Sequence, residues 1–393
     1  MINITYKPEG EELVIKLAGK IDSSNAAEAE KEINEILAKE TFSVIILDAE
    51  ELQYISSAGL RIILRLRKHY ADLKIVNVVS EVYEIFDMTG FTEMMKIEKA
   101  YRRFSVEGCE IIGKGANGIV YRINPDTIIK VYKDPDCLPE IQNERELARK
   151  AFIMGIPTAI PYDVVKVGET YGSVFEMLNA RSFSQIIGAD RSKIDECVDL
   201  YVQLLKKIHA AELKKGELPD QRKNGISWIE YLQGEIDDAL YKKAKAMLEA
   251  IPEDYHMIHG DYHTKNVMLQ NGETLLIDMD TLCMGHPVYE FAAMYLAYIG
   301  FDEETQWNTK DFLGYDRDAA EEIWKKTLVR YFGTEDEEKL QELQNKFAVI
   351  GYIRLLRRTL RKKNSTPEKY ENRIARCKRH LNELIPKVDS LVF

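Results

Sequence analysis

Near residue 100 the sequence pattern changes, and that break limits what the chain can fold into. Before it, strand and helix signals alternate. After it, strands follow one another and then give way to a long helical stretch. At 393 residues the chain exceeds the roughly 250–300 residues that one hydrophobic core serves. The break is therefore read as a domain boundary. The expected organisation is an α/β domain over residues 1–100 and an α+β domain over 101–393. The latter divides into a strand-rich lobe to about residue 180 and a helix-rich lobe over about 181–393, with a cleft between them.

Within the first domain, "ELVIKLAG" reads as a strand. "SSNAAEAEKEINEILAKE" reads as a helix opened by Ser caps, with Ala26, Ala29, Ile33, Ile36 and Leu37 on one face. "FSVIILDA" is a continuous apolar run and is expected as a buried strand. "SAGLRIILRLRKHY" predicts a helix with Leu60, Ile63, Leu64 and Arg67 at helical spacing. "DLKIVNVV" predicts a further strand, and "SEVYEIFDMTG" a short capped helix stopped by Gly90.

Bulk properties exclude several classes. With 45% hydrophobic and 30% charged residues, the composition is that of a water-soluble globular chain. No apolar run approaches the ~20 residues of a transmembrane helix. The first residues lack the basic-then-apolar order of a signal peptide. The five cysteines form no CxxC pair, so neither a zinc site nor a disulfide framework is expected, and a cytoplasmic location is the natural reading. A net charge of -11 argues against nucleic-acid or anionic-membrane binding.

Past residue 100, four features occur in an order with mechanical sense. "GKGANGIV" places Gly113, Gly115 and Gly118 in a G-x-G-x-x-G loop between two strands. Glycines let backbone N–H groups approach phosphates, and the strand–strand setting favours a kinase flap over a dinucleotide site. Lys130 in "IIKVYK" follows at kinase spacing. Glu144 on the next helix is its candidate partner, with Glu146 as a rival. Finally, "HGDYHTKNVML" and "LIDMD" supply Asp261 to orient or accept a hydroxyl proton. They also supply Asn266 and Asp278 as oxygen ligands for Mg²⁺.

Residues from about 105 to 393 resemble the aminoglycoside phosphotransferase and choline-kinase-like branch of the protein-kinase fold. "HGDYHTKN" matches that family's His-Gly-Asp-x-His-x-x-Asn loop, and "LIDMDTLCMGHPVYEFA" resembles its Ile-Asp segment. The resemblance implies Asp261 as catalytic base, Asn266 and Asp278 as magnesium ligands, and ATP as phosphoryl donor. His259 becomes a structural member of the loop. "FEML" resembles the hinge, so backbone groups at Glu176 and Leu178 are expected to hold adenine. His286 and Glu290 stand where the family often has Asp, which implies altered substrate contacts. The acceptor pocket is expected from "WNTKDFLGYD" and the helices after residue 320. The basic run "RLLRRTLRKK" at 354–363 is open to an anionic acceptor, but a solvated helix face or a contact with another domain is the preferred expectation.

"LDAEELQYISSAGLRIIL" puts Ser56 and Ser57 between a strand and a helix, where a Ser cap and a tight turn at Gly59 form the simplest explanation. The stretch also resembles the signature of STAS domains, the anti-sigma-factor antagonist family, in which a phosphorylatable Ser precedes a Gly-Leu pair by two residues. "AGKIDSSNAAEAE" and "EIFDMTGFTEMMKI" extend the resemblance over residues 2 to about 100. It implies Ser57 as a phosphorylation candidate and an anti-sigma-factor-type protein partner.

Together these features imply an ATP- and Mg²⁺-dependent phosphotransferase acting on a small-molecule hydroxyl, with a regulatory STAS module. The alternatives are a protein serine kinase acting on Ser57 or a partner's STAS serine, and a nucleotide-sensing scaffold. The set Lys130, Asp261, Asn266 and Asp278 argues against the scaffold.

Overall fold

The computed structural model describes residues 2–39, 42–115, 118–303, 308–362 and 367–393. Ala116 and Asn117 of the glycine loop, Glu40, Trp307 and Lys363 lie outside the described residues. Contacts divide the chain into two units, Met1–Glu107 with Val164–Tyr171, and Gly108–Asp163 with Gly172–Phe393.

The first unit contains a six-stranded sheet. Its strands are β1 (Ile2–Glu9), β2 (Glu12–Ile21), β3 (Val44–Asp48), β4 (Leu52–Ile55), β5 (Lys74–Val78) and β6 (Ile97–Lys99). The order is β1-β2-β3-β5-β6, with β4 beside β2. Only β1 and β2 pair antiparallel; β2 with β3, β3 with β5 and β5 with β6 run parallel. Helices α1 (Ala26–Leu37), α2 (Ser57–His69), α3 (Ser80–Met88) and α4 (Phe91–Met94) supply the crossovers that parallel strands require.

The sheet has one dominant buried side. Leu13, Ile15 and Leu17 are buried at alternate positions of β2, and Ile45 and Leu47 do the same in β3, while Val44 and Ile46 are half-buried. The strand expected to be buried throughout is thus two-sided. Helix α1 buries Ala26, Ala29, Ile33, Ile36 and Leu37, as its spacing predicts. Its N-cap, however, is Asn25. The neighbouring Ser24 instead donates to Asp22, and the Asn25 amide fixes the entry by donating to the Lys20 carbonyl. Val79 precedes α3 without a side-chain cap, so Ser80 is a helix residue. Gly90, at φ 76°, ends that region in the left-handed conformation, where glycine carries no steric penalty.

Helix α2 buries Gly59, Leu60, Ile62, Ile63 and Leu66, leaving Leu64 half-buried. Gly59 is inside the helix and not at a turn. A Cβ there would lie 2.6 Å from Ile55 Cγ1 and 2.7 Å from Ile21 Cγ2. The missing side chain lets α2 sit directly on the sheet.

The second unit opens with β7 (Glu110–Lys114), β8 (Gly118–Asn124) and β9 (Thr127–Tyr132), paired antiparallel in sequence. Residues 172–176, the end of strand Thr170–Glu176, pair along the other edge of β9. Helix α5 (Leu138–Ile153) follows β9. The helix-rich part comprises α6 (Phe183–Ala189), α7 (Ile194–His209), α8 (Gln221–Tyr231), α9 (Asp238–Glu249), α10 (Val288–Tyr298), α11 (Arg317–Phe332), α12 (Glu337–Arg361) and α13 (Pro367–Leu384). Asp220, Asp237, Asp316 and Asp336 cap α8, α9, α11 and α12 by accepting first-turn N–H groups, which sets where each helix begins.

Every residue of α10 is buried. A helix apolar all round belongs in a core, and α10 packs against α12 with Phe291 stacked on Phe347 at 5.0 Å. Two small antiparallel strand pairs carry the loops of interest. Met257–Ile258 pairs with Cys283–Met284, and Val267–Gln270 pairs with Glu273–Leu276. Among the described residues no helix is long and apolar enough to cross a membrane.

Gly59→Ala tests the close approach of α2. Alanine improves helix propensity by about 1 kcal/mol, but overpacking a well-filled core costs about 1–3 kcal/mol. Net destabilisation of the first domain is expected in urea unfolding. A more stable variant would show that the two isoleucines repack freely.

Candidate active site

Lys130 lies on β9 with a side chain 20% exposed. Its Nζ donates to Glu144 at 3.0 and 3.2 Å and to Asp278 Oδ1 at 3.1 Å. Burial opposes the charge, but Asp278 and then Glu144 outweigh it and raise the Lys130 pKa well above its ordinary value. The rival Glu146 pairs with Lys150 at 3.4 Å. Glu144 is buried on α5 and also accepts the Tyr132 hydroxyl. Burial and the Glu144 charge raise the Tyr132 pKa, so this phenol stays a donor.

The glycines divide by role. At Gly118 a Cβ would lie 2.5 Å from the Val131 carbonyl oxygen, so glycine there is required by the β8–β9 pairing. At Gly113 and Gly115 an added Cβ meets nothing closer than 3.6 and 3.8 Å. The Gly115 N–H donates to the Gly118 carbonyl at 2.9 Å, closing the hairpin, and Lys133 Nζ holds the Gly115 carbonyl at 3.1 Å. Glu176 ends its strand in an exposed position, Leu178 is half-buried, and the Met177 N–H between them donates to the Asp126 carbonyl at 2.8 Å.

The loop around Asp261 is pinned from below. Gly260 has φ +81°, and a Cβ there would lie 2.7 Å from the Thr281 carbonyl oxygen. The fully buried Glu290 accepts the N–H groups of both His259 and Gly260, the latter at 2.9 Å. The Thr281 hydroxyl donates to the His259 carbonyl at 2.8 Å, and Arg354 Nη1 to the Gly260 carbonyl at 3.2 Å. His209 Nε2 stands 3.7 Å from Glu290, an ion-pair distance. Burial pushes the Glu290 pKa up, but the His209 imidazole and the donated N–H groups prevail and lower it.

Asp261 follows this anchor. Its carboxylate stands 3.6 Å from buried His263 Nε2. Desolvation pushes its pKa up, yet His263, His259 and Arg354 outweigh that and hold it down at about 2. Asn266 Nδ2 donates to the Asp261 carbonyl at 3.0 Å, leaving the amide oxygen as its remaining acceptor. The Asn266 carbonyl accepts the Ile277 N–H at 2.9 Å, which brings Asn266 beside Asp278. Asp278 adopts φ 65°, the left-handed region, uncommon for a non-glycine and often found at functional sites.

Sequence reasoning assigned no role to Asp280. Burial, and next the Asp278 and Glu144 charges, raise its pKa against the pull of Lys130. The Asp-x-Asp spacing in "LIDMD" was the available signal. Among the described residues no three carboxylate, imidazole or thiol groups are already gathered as a metal cage. An amide oxygen and one carboxylate, Asn266 and Asp278, are a donor set that suits Mg²⁺ completed by phosphate oxygens and water.

Residues 108–325, more than half of the chain, match the phosphotransferase enzyme family. The chain belongs to that family. Residues 3–103 match the STAS domain. Over 89 residues the chain is 34% identical to BtrV of Bordetella bronchiseptica, described as a candidate anti-sigma factor antagonist, covering 22% of this chain and 76% of that protein. Among solved structures, apo aminoglycoside phosphotransferase APH(4)-Ia shares the fold at TM-score 0.50 and 14% identity, over 72% of this chain and 97% of that one. ADP-bound aminoglycoside phosphotransferase APH(2'')-Ib aligns at TM-score 0.48 and 15% identity, over 79% of this chain and 99% of that one.

Two departures from the family pattern thus have a different meaning from the one expected. Glu290 is fully buried and holds the backbone just before Asp261. His286 is buried too; its Nδ1 accepts the Val288 N–H at 3.1 Å and its ring lies 4.9 Å from Phe393. The basic run also differs from the preferred expectation, because Arg354 is half-buried against the loop that carries Asp261. From the other expected segment, Phe312 reaches the site, 5.3 Å from the His263 ring and beneath Lys265 Nζ at 4.0 Å.

In the STAS domain, Ser56 is the N-cap of α2, accepting the Gly59 N–H at 3.4 Å. Ser57 is the exposed first residue of that helix. The cap and the phosphorylation candidate are therefore separate serines.

Glu290→Gln replaces one acceptor oxygen with an NH₂ that faces a buried N–H. We expect a loss of about 1–3 kcal/mol of stability and slower turnover with Mg-nucleotide affinity kept. Because the folded pKa of Glu290 is lowered, its stabilisation is complete above the unfolded value of about 4.3. It is lost as pH falls through the lower folded value. Acid unfolding of the Gln variant should lack that component; identical acid profiles would refute the anchor.

Proposed function

We propose that residues 101–393 form an ATP- and magnesium-dependent kinase that moves the γ-phosphoryl group to a hydroxyl of a small molecule, and that residues 1–100 regulate it as a STAS module. The observation that carries this reading is the Lys130 ammonium between Glu144 and Asp278, with Asn266 joined to both the Asp261 loop and the Asp278 turn.

Lys130, steadied by Glu144, would hold the α/β-phosphates under the glycine loop, with adenine against backbone groups of Glu176 and Leu178. Asn266 and Asp278 would hold Mg²⁺, which supplies charge neutralisation on the β- and γ-phosphate oxygens. As the acceptor oxygen bonds to the γ-phosphorus, the bond to the β–γ bridging oxygen breaks. ADP leaves with that electron pair, and the acceptor proton passes to Asp261. A carboxylate held at about 2 is a weak base. Its main part is to orient the hydroxyl, and it takes the proton late, once P–O bond formation has acidified it. The five cysteines, for which no disulfide is described, fit the reducing, cytoplasmic setting proposed here.

Asp261→Asn should lower turnover by about 10²–10⁴-fold while Mg-ATP still binds, whereas Asp278→Ala should abolish the magnesium dependence of nucleotide affinity. Both are read by calorimetry and a coupled assay. Wild-type turnover in the first variant, or unchanged Mg-ATP binding in the second, would remove the respective role.

An anti-sigma-factor-type partner is the second element of the proposal, supported by the BtrV likeness and by exposed Ser57. Added phosphate at a helix N-terminus meets free N–H groups. Ser57→Asp should alter partner capture or kinase turnover, and Ser57→Ala should stay as stable as wild type because Ser56 is the cap. Identical behaviour of the Asp and Ala variants in both assays would leave an unphosphorylated docking domain.

A further inference from the structure

Helix α12 carries Arg354, Arg357 and Arg361, spaced three and four residues apart, so they share one face. Arg354 marks where that face meets the site, since it donates to the Gly260 carbonyl and its Cζ lies 5.5 Å above the Trp228 ring of α8. Arg357 is half-buried one turn on, and its Nε is buried without a hydrogen-bond partner. Burial, then the Arg361 charge, with Arg354 adding and Tyr231 opposing, lower its pKa. At this helical spacing the three cations are neighbours on one face, the first of them over Trp228.

None of the described ion pairs uses these arginines. Elsewhere the chain pairs its arginines readily, Arg65 with Glu30, Arg122 with Glu110, Arg191 with Glu322, Arg317 with Glu321 and Arg330 with Asp195. Carboxylates near α8 are taken by lysines, Glu230 by Lys245 and Glu235 by Lys378. With 65 acidic against 54 basic residues, carboxylates are not scarce. Half-buried Arg357 and exposed Arg361, neighbours on one face and in none of the described ion pairs, are suited to an oxyanion that arrives with a ligand.

We propose that Arg357 and Arg361 are the anion subsite of the acceptor, so that the compound phosphorylated here carries a phosphate or carboxylate as well as its hydroxyl. This rests on the phosphotransferase reading and names its substrate class. With the hydroxyl at Asp261, the anionic group lies one to two helical turns beyond Arg354, about 5–11 Å along α12. The phosphoryl step is unchanged: the hydroxyl oxygen gains the γ-phosphoryl group, ADP departs, and Asp261 receives the proton. Such a wall would repel a polycationic aminoglycoside.

The test uses the full chain loaded with Mg²⁺ and AMP-PNP. Glycerol 3-phosphate, glycerate, glycerol and gentamicin are titrated separately by calorimetry at low salt. Glycerol 3-phosphate or glycerate should bind, and which of them binds tighter separates a phosphate from a carboxylate acceptor; glycerol and gentamicin should not. The exposed Arg361→Glu, and Arg357→Gln, should each weaken the anionic probe about tenfold or more, with melting and AMP-PNP affinity showing that the variants are folded. The subsite is overturned if neither anionic probe binds, if both variants bind it as wild type does, or if gentamicin binds more tightly. Failure of the wild-type chain to bind Mg-AMP-PNP would instead remove the phosphotransferase reading beneath it.

Discussion

The second domain depends on a carboxylate sealed from solvent. Glu290 sits at the start of α10, a helix buried along its whole length, and accepts two consecutive N–H groups from the loop before Asp261. A buried charge is tolerated only when paired or fully hydrogen-bonded, and these donors with His209 meet that demand. The same bonds fix the left-handed Gly260 turn, which aims Asp261 outward. Packing in the core and geometry at the surface are therefore joined at one residue.

From that anchor the site extends by short links. Asn266 ties the Asp261 carbonyl to the Asp278 turn, and Asp278 reaches Lys130 across 148 positions of sequence. Glu144 completes the chain from a separate helix. Each group lies on its own hairpin, strand or helix, so the constellation exists only when these elements are packed together.

The sequence made much of this legible, for physical reasons. Helix α1 was readable because its buried stripe follows the 3.6-residue period without interruption. Lys130, Asp261, Asn266 and Asp278 stood out because their chemistry has few other uses at such spacing, and Glu144 was separable from Glu146 only once helix phase was known. Gly59 looked like a turn because sequence does not register how closely two isoleucines approach. Glu290 looked like a peripheral departure from the family's Asp because nothing local reveals that α10 is buried on every side. Arg354 looked solvated for the converse reason: its partner is a carbonyl 94 residues away.

The Lys130 ammonium bonds to Glu144 on α5 and to Asp278 in the turn after Leu276. One positive charge thus holds together two carboxylates that would otherwise repel each other. It works as a rivet between the strand-rich and helix-rich parts of this domain: a neutral side chain in its place would set two negative groups against each other at the point where those parts meet.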